Sequence, residues 1–587
     1  MGIVVFFLVF TAVSTTLAVL LASVMGYLAV WIVWVSFLAG MAVGFYGYSS
    51  SKSLSLSLRP VSFFDGFMLV AFTVFCLRHF LWVYYYRDGG MRILDQYNFS
   101  DMPLHLTNVA YFVRGTEFWP DNPIFASLKM HYPFGVDFFT AMWVKIGVPV
   151  DRAMQLVGLG GGLLVGIALF IWGRAFALAA FLFSGALHGF QIFLNIPLTD
   201  YVTELPWKNL ALTLLIPQRG FLFGFSAGLL LLWSWRRRFL TQDKPLPGFV
   251  EICLWGLMPL FHFHTFLFLT YIYLIWFLVS GKWTRENLGI ALGVSIPALI
   301  ESFVLTDGFR LASLVWWKPG WLIEGRPLYF FIANFGLWMP LLFLALVFAY
   351  RKRRSPKPES DGKLPASCFW HHLWPALLLW AALFFVMLMP WDWDNMKLMV
   401  WCYLLILPAV DSLVIQKIPK GWRFLVFFFL FFSGFAVVVS SVGREQKGSE
   451  VIRLEELDEV CTIARKMNPG DTVLIYPTFN HPILLCGYKV VAGYGGHTWS
   501  HGLPSAEIEN KIRRIYLGEK DWKGILREFG PRYLFWGPYE RWAYSESTRP
   551  WEDEATATLI ARGKWGTIYD LSKAYTLQDD QENLTPR

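Results

Sequence analysis

Asp101 and His105 stand four residues apart in the run Asn98-Phe99-Ser100-Asp101-Met102-Pro103-Leu104-His105, so on a helix they share a face. A carboxylate beside an imidazole at the edge of an apolar segment can act as a general base, with the imidazole tuning or orienting the acid. The same residues also read as a helix start, with Ser100 as the cap, Asp101 complementing the dipole and Pro103 tolerated in the first turn. Asp95 lies just upstream, and His131-Tyr132-Pro133-Phe134-Gly135-Val136-Asp137 adds a second histidine and a further acid. Other residues suit an anionic substrate. Arg219, in Gln218-Arg219-Gly220, can hold a phosphate through its forked donors or can snorkel at an interface. Lys397 follows Trp391-Asp392-Trp393-Asp394-Asn395 and is a second cation of this kind. Asp392 and Asp394 have a spacing that can hold a divalent cation or form a polar turn, and no metal or cofactor is expected. Asp200 and Glu204, four apart, face one cavity or face water. His262 and His264 project to opposite sides, so a shared metal is not expected, but an ionisable group at membrane depth keeps His262 as a pocket-lining candidate. Near the C-terminal end, His497, Trp499, Ser500 and His501 can bind a sugar by stacking and hydrogen bonds, or can pack one domain on another.

The elements that must position these residues are overwhelmingly apolar. The chain of 587 residues is 56% hydrophobic and 18% aromatic, and its 16% of charged residues falls well below the soluble norm of about 25%. Mean hydropathy is +0.46, and apolar runs of near twenty residues recur, so the fold class is a polytopic α-helical membrane protein. The net charge of +8 does not point to nucleic acid. It gathers in short loops at Arg236-Arg237-Arg238, Arg351-Lys352-Arg353-Arg354 and 417–423, which is the positive-inside pattern and reports orientation. The pattern predicts about thirteen spans, with the N-terminus inside and the C-terminus outside. Residues 153–172 and 175–194 form two of them, and 249–281 reads as a hairpin that keeps every basic loop on one side. The opening 21 residues lack a basic start and a cleavage site, and read as a retained span.

The domains expected are an N-terminal hairpin and linker (1–60), a membrane domain (61–441) with outer loops 85–150 and 195–218, and an extracytoplasmic α/β domain (442–575). A disordered tail (576–587) follows. Within loop 85–150, 104–113 and 138–146 read as amphipathic helices lying on or dipping into the membrane surface. In the last domain, helical patterns over 454–466, 505–517 and 522–529 alternate with strand patterns over 471–476, 489–493, 532–536 and 565–571. Of six cysteines, Cys461 and Cys486 can pair across this domain.

Asp101-Met-Pro-Leu-His105, Trp119-Pro-Asp-Asn-Pro123 and His131-Tyr-Pro-Phe-Gly-Val-Asp137 resemble the first outer loop of the multi-spanning glycosyltransferases of the GT-C superfamily, and more closely an uncharacterised bacterial branch of it. Asn480-His481-Pro482, Gly493-Tyr-Gly-Gly-His497-Thr-Trp499 and Trp536-Gly-Pro-Tyr-Glu540-Arg541 resemble that branch's outer domain. The resemblance implies transfer of a sugar from a polyprenyl-phosphate carrier at the outer face of a bacterial cytoplasmic membrane. It makes Asp101 the base for an acceptor hydroxyl. An extra hairpin precedes the loop here, and the acid lies well beyond the span it follows. A non-catalytic scaffold, or an accessory subunit with protein partners in a membrane complex, is therefore the second reading, and a transporter the third. The partners expected are a lipid-linked sugar donor and membrane lipids, with no nucleic acid.

Overall fold

Uncharged runs of Leu, Val, Phe and Ala fold as helices because a helix satisfies its own backbone where no water reaches. The computed structural model describes residues 1–54, 60–94, 101–194, 205–241, 243–308, 315–323, 325–353, 366–388, 391–443, 448–500 and 502–576. Helices α1 (Gly2–Met25), α2 (Val30–Ser51) and α3 (Phe63–Phe80) precede two shorter ones, α4 (Asp101–Arg114) and α5 (Gly135–Lys145). Then come α6 (Val150–Leu182), α7 (Gly220–Trp235), the stepped pair α8 (Gly248–Gly256) and α9 (Met258–Phe261), α10 (Phe263–Ser280) and α11 (Arg285–Leu305). Helices α12 (Pro327–Phe335), α13 (Trp338–Lys352), α14 (Ala366–Ala382), α15 (Asp392–Leu413) and α16 (Lys420–Gly443) complete the apolar part.

Among the described residues eight helices are long and apolar enough to cross a membrane, or nine if α12 and α13, bent by 87°, make one span. The difference from thirteen lies in segments that are short or broken. Gly173 and Arg174 leave helical geometry inside α6, so the two spans expected there are joined across a kink. The 249–281 run is a hairpin that turns at His262. Its first residues lie beside Arg238 through Glu251, and its far end returns there through Lys282, whose Nζ donates to the Arg238 carbonyl at 2.6 Å. The turn itself presses on the start of α7, where a Cβ on Gly220 would fall 2.5 Å from the Phe261 carbonyl oxygen.

Strands β1 (Tyr85–Arg87), β2 (Gly90–Ile93), β3 (Asp121–Asn122) and β4 (Phe125–Lys129) rise from the loop between α3 and α6, and β5 (Trp316–Trp317) pairs with β6 (Val386–Met387). After α16 come β7 (Ser449–Arg453), α17 (Leu454–Ala464), β8 (Val473–Leu474), the short α18 (Pro482–Leu485), β9 (Tyr533–Trp536), β10 (Thr558–Arg562) and β11 (Thr567–Asp570). A four-stranded sheet has the order β10-β11-β9-β8, with β8 and β9 parallel and the other pairs antiparallel.

This C-terminal unit is not separate from the loop. β2 pairs antiparallel with β7. The backbone N–H groups of Ala126 and Gly493 donate to the carbonyls of Val490 and Ile124 at 3.0 and 2.8 Å, and Val490 N–H donates to Pro123 at 2.9 Å. Ile124 is buried in the same core as Val473, Ile475 and Val490. Nor are α4 and α5 surface helices as expected. Most of their side chains are buried, α5 packing on α1 and α6, and α4 meeting α18 on its other side. Gly487, at φ +81°, lets that contact close, since a Cβ there would lie 2.5 Å from the Ala110 carbonyl oxygen. The Arg114 guanidinium lies 3.6 Å from the centroid of the Tyr488 ring.

Cys461 and Cys486 form a disulfide 25 residues apart in sequence, tying α17 to the end of α18. Replacing both with serine is expected to lower stability by about 3 kcal/mol through the freed unfolded chain. A thermal melt of the purified protein would read this, and reductant should reproduce the drop in the wild type but not in the double variant.

Candidate functional site

The arrangement begins with Asp137, a buried acid on α5. Its Oδ2 lies 2.7 Å from His105 Nδ1 and accepts from Asn108 Nδ2 at 3.1 Å, both on α4. Its Oδ1 lies 3.3 Å from Arg219 Nε at the head of α7. His105 Nε2 is 3.0 Å from the Pro217 carbonyl, which can only accept, so Nε2 carries a hydrogen. Arg219 directs Nη2 to Thr140 Oγ1 at 2.8 Å and Nη1 toward the Met154 carbonyl at 3.4 Å. Arg219 is enclosed and bonded to protein, and Asp137 is its ion-pair partner. His105 turns toward Asp137 rather than hydrogen-bonding Asp101.

Asp101, the first residue of α4, remains open. Its side chain is 27% exposed, while protein crowds it closely enough that burial pushes its carboxyl up to about 6. The charge of Asp394 adds to that rise, and the charges of His105 and Lys397 oppose it. His497 Nε2, from the C-terminal unit, lies 3.9 Å from Asp101 Oδ1. Lys397 Nζ binds Asp394 Oδ1 within the first turns of α15, both side chains being mostly buried. Tyr132 belongs to the same group, since burial raises its phenol and the charges of Asp137, Asp101 and Asp394 raise it further. His264 is within electrostatic reach of Lys397 and Asp394.

A small apolar groove is lined by Trp207, Phe335, Trp338, Trp380, Tyr403 and Ile406 among others. Lys208, next to Trp207 in the chain, holds its ammonium 5.2 Å from the centroid of Trp393, the residue before Asp394.

Asp101, Asp394, Lys397 and His497 therefore come together. His262 does not face them as a free group, because its Nδ1 accepts from Thr265 N–H at 3.1 Å and caps α10. His131 Nδ1 is 3.3 Å from the Val304 carbonyl at the end of α11. Trp499 is 48% exposed on the C-terminal unit. Asp95, Asp200, Glu204 and the cap residue Ser100 lie outside the described residues, as does the side chain of Asp392. Tyr132, His264 and Lys208 were not among the sequence candidates. Lys208 carried the clearest signal, a cation beside a tryptophan just before a span.

The fold is that of a polytopic helical membrane protein, and Asp101, Asp394, Lys397 and His497 are gathered in one part of it. No family model matches the chain, and no curated protein matches it. Among solved structures it is similar to the oligosaccharyltransferase of Archaeoglobus fulgidus, both in the apo form and tethered through a disulfide to an acceptor peptide containing the NVT sequon. For each, the TM-score is 0.46 at 10% identity, over 87% of this chain and 74% of that one. The functional reading rests on the Asp101 group itself.

Removing one partner from a buried pair strands the other charge. Asp137→Ala and Arg219→Ala are each expected to destabilise the fold by about 3–5 kcal/mol, whereas Lys564→Ala, whose pair with Glu455 is mostly exposed, should cost far less. Denaturation of the purified variants, followed by intrinsic fluorescence, would check the contrast.

Proposed function

We propose that the chain is a membrane glycosyltransferase that moves a sugar from a polyprenyl-phosphate-linked donor to an acceptor hydroxyl at the outer face of a bacterial cytoplasmic membrane. The observation that carries this reading is the Asp101 carboxyl, partly exposed beside His497 and near Lys397 and its partner Asp394. Its pKa of about 6 suits a base that works near neutrality. The acceptor O–H bond breaks and its proton passes to Asp101. The oxygen's electron pair forms the new bond to the anomeric carbon, and the old C–O bond breaks toward the phosphate. Polyprenyl phosphate leaves with that electron pair. Lys397, shifting from Asp394, and Lys208 supply the positive charge that the leaving phosphate requires. The apolar groove beside Lys208 takes the isoprenoid chain. Tyr132 and His497 flank the position of the sugar.

The second reading, a non-catalytic scaffold within a membrane complex, draws on one observation, that Lys397 is already paired with Asp394. Purification at fixed stoichiometry with other subunits, together with full complex function in Asp101→Asn, would favour it.

In membranes supplied with a polyprenyl-phosphate sugar, Asp101→Asn is expected to lower transfer by about 10²–10⁴-fold, the usual worth of a general base. Full retained activity would remove Asp101 from the role. Wild-type activity should fall as the pH drops through about 6, where the carboxyl takes up its proton.

The same shift has a consequence for stability, with the opposite sense. The folded carboxyl binds its proton more tightly than the unfolded one, so the fold loses stability as the pH rises from about 4 to about 6, and the loss persists above. Asp101→Asn should therefore stabilise the protein by roughly 1–2 kcal/mol at pH 8 and by almost nothing at pH 4. Melting curves at the two pH values would read the difference, and an acid kept only for structure would show the reverse at pH 8.

A further inference from the structure

A line of aromatic rings crosses the surface of the C-terminal unit. Trp542, on the short helix Pro538–Ala543, is 75% exposed, and its ring centroid lies 6.4 Å from that of Tyr476. Tyr476 stacks on Tyr539 at 6.1 Å and meets Tyr544 edge-on at 6.0 Å. Tyr494 is exposed as well, and its ring lies 5.6 Å from Phe479 and 5.2 Å from His497. His497 Nε2 is in turn 3.9 Å from Asp101 Oδ1.

One carboxylate lies between the two groups of rings. Glu509, partly buried on the helix Ser505–Leu517, is within electrostatic reach of Tyr476 and Tyr544. Its Oε1 sits over the backbone of Gly495, the residue after Tyr494, where a Cβ would fall 2.0 Å from it. Other charged groups nearby are spent. Lys511 and Arg514, on the same helix, pair with Glu507, Glu528, Glu519 and Asp521, and among the described residues no cation pairs with Glu509. Glu540 accepts from the N–H groups of Tyr476 and Gly537 and lies 3.0 Å from His481.

We propose that this line, from Trp542 through Tyr476, Glu509 and Tyr494 to His497, binds a neutral oligosaccharide, and that this oligosaccharide is the acceptor whose terminal hydroxyl meets Asp101. The apolar C–H faces of sugar rings lie on the aromatic faces, whose polar edges stay in water. Ring hydroxyls donate to Glu509, which as a carboxylate can only accept, in charge-assisted bonds. A peptide would call for a strand edge or side-chain pockets, and a bilayer surface for apolar residues flanked by cations. Flat rings around an acid fit neither. At the Asp101 end the hydroxyl oxygen forms its bond to the anomeric carbon as its proton passes to the carboxylate. The acceptor role therefore rests on Asp101 acting as the base, whereas binding along the line does not.

The test uses the full chain in nanodiscs, with maltohexaose, cellohexaose and chitohexaose as probes. Hydrogen exchange read by mass spectrometry reports binding, and transfer to the bound probe reports the acceptor role. In the wild type at least one probe is expected to protect residues 476–479, 494–499 and 538–544. Trp542→Ala and Glu509→Gln, both at sites open to water, should each weaken that binding about fivefold, raising the acceptor KM while kcat stays. Asp101→Asn should keep the protection and lose transfer. If it keeps both, the acceptor role at Asp101 is overturned although the binding line stands. Protection that survives unchanged in Trp542→Ala and Glu509→Gln overturns the line itself. So does protection by none of the probes, or protection of the same segments by bilayer lipid, in nanodiscs against detergent, in place of sugar.

Discussion

The position of every group around Asp101 depends on one buried ionic cluster. Asp137 on α5 receives His105 and Asn108 from α4 and Arg219 from the head of α7, and it is the only acid in direct contact with those donors. Three helices from distant parts of the sequence are therefore fixed to one carboxylate in a setting with little water to replace any partner. Geometry of that kind is demanding, because a buried ion pair gains over its desolvation cost only when the remaining donors and acceptors are met. The Pro217 carbonyl, Thr140 and Met154 meet most of that need, while Arg219 Nε and Asp137 Oδ1 face each other as an ion pair without a hydrogen bond. Tyr84 adds a further lock by donating its hydroxyl hydrogen to the Met102 carbonyl in the first turn of α4. The result is a rigid α4, and Asp101 is its first residue.

A rigid base is of use only when its surroundings are equally fixed, and the C-terminal unit supplies the rest. It reaches Asp101 through His497. It is held to the loop by strand pairing at β2–β7, by the three backbone bonds near Ile124, and by Lys489 Nζ on Asp121 at 2.5 Å. Strand pairing sets register to the residue, which a side-chain contact does not. The loop and the C-terminal unit thus share one core although more than three hundred residues separate them. A division at residue 442 follows composition, but not the packing.

The sequence made the class of the molecule legible because hydropathy is a property of single segments. It also made 505–517 and 522–529 legible as helices, and they stand at those bounds, since their amphipathic periods are local and uninterrupted. It was less informative wherever a helix breaks. The kink at Gly173 and Arg174, the turn at His262 and the bend at Gly336 arise from backbone geometry that tertiary contacts impose, and each makes a span look longer or more numerous than it is. Strand 489–493 was expected inside the sheet. In the structure its hydrogen bonds go largely to the loop, with one parallel bridge from Val490 to Val473, because Pro123 and Ile124 occupy its other edge.

For the site, residue type and spacing identified charges correctly but could not say which were already spent. Asp101 and Asp137 look alike in sequence, and so do Arg219 and Arg236, which stand at the two ends of α7. What separates them is whether another buried group of opposite sign lies within reach, and that is set by helices remote in the chain. Asp137 and Arg219 pair with each other and so carry structure. Asp101 is 27% exposed and raised toward neutrality. In a membrane domain an ionisable group without an internal partner costs more than in water. A charge that the fold leaves open is therefore a better object for a functional test than the motif around it.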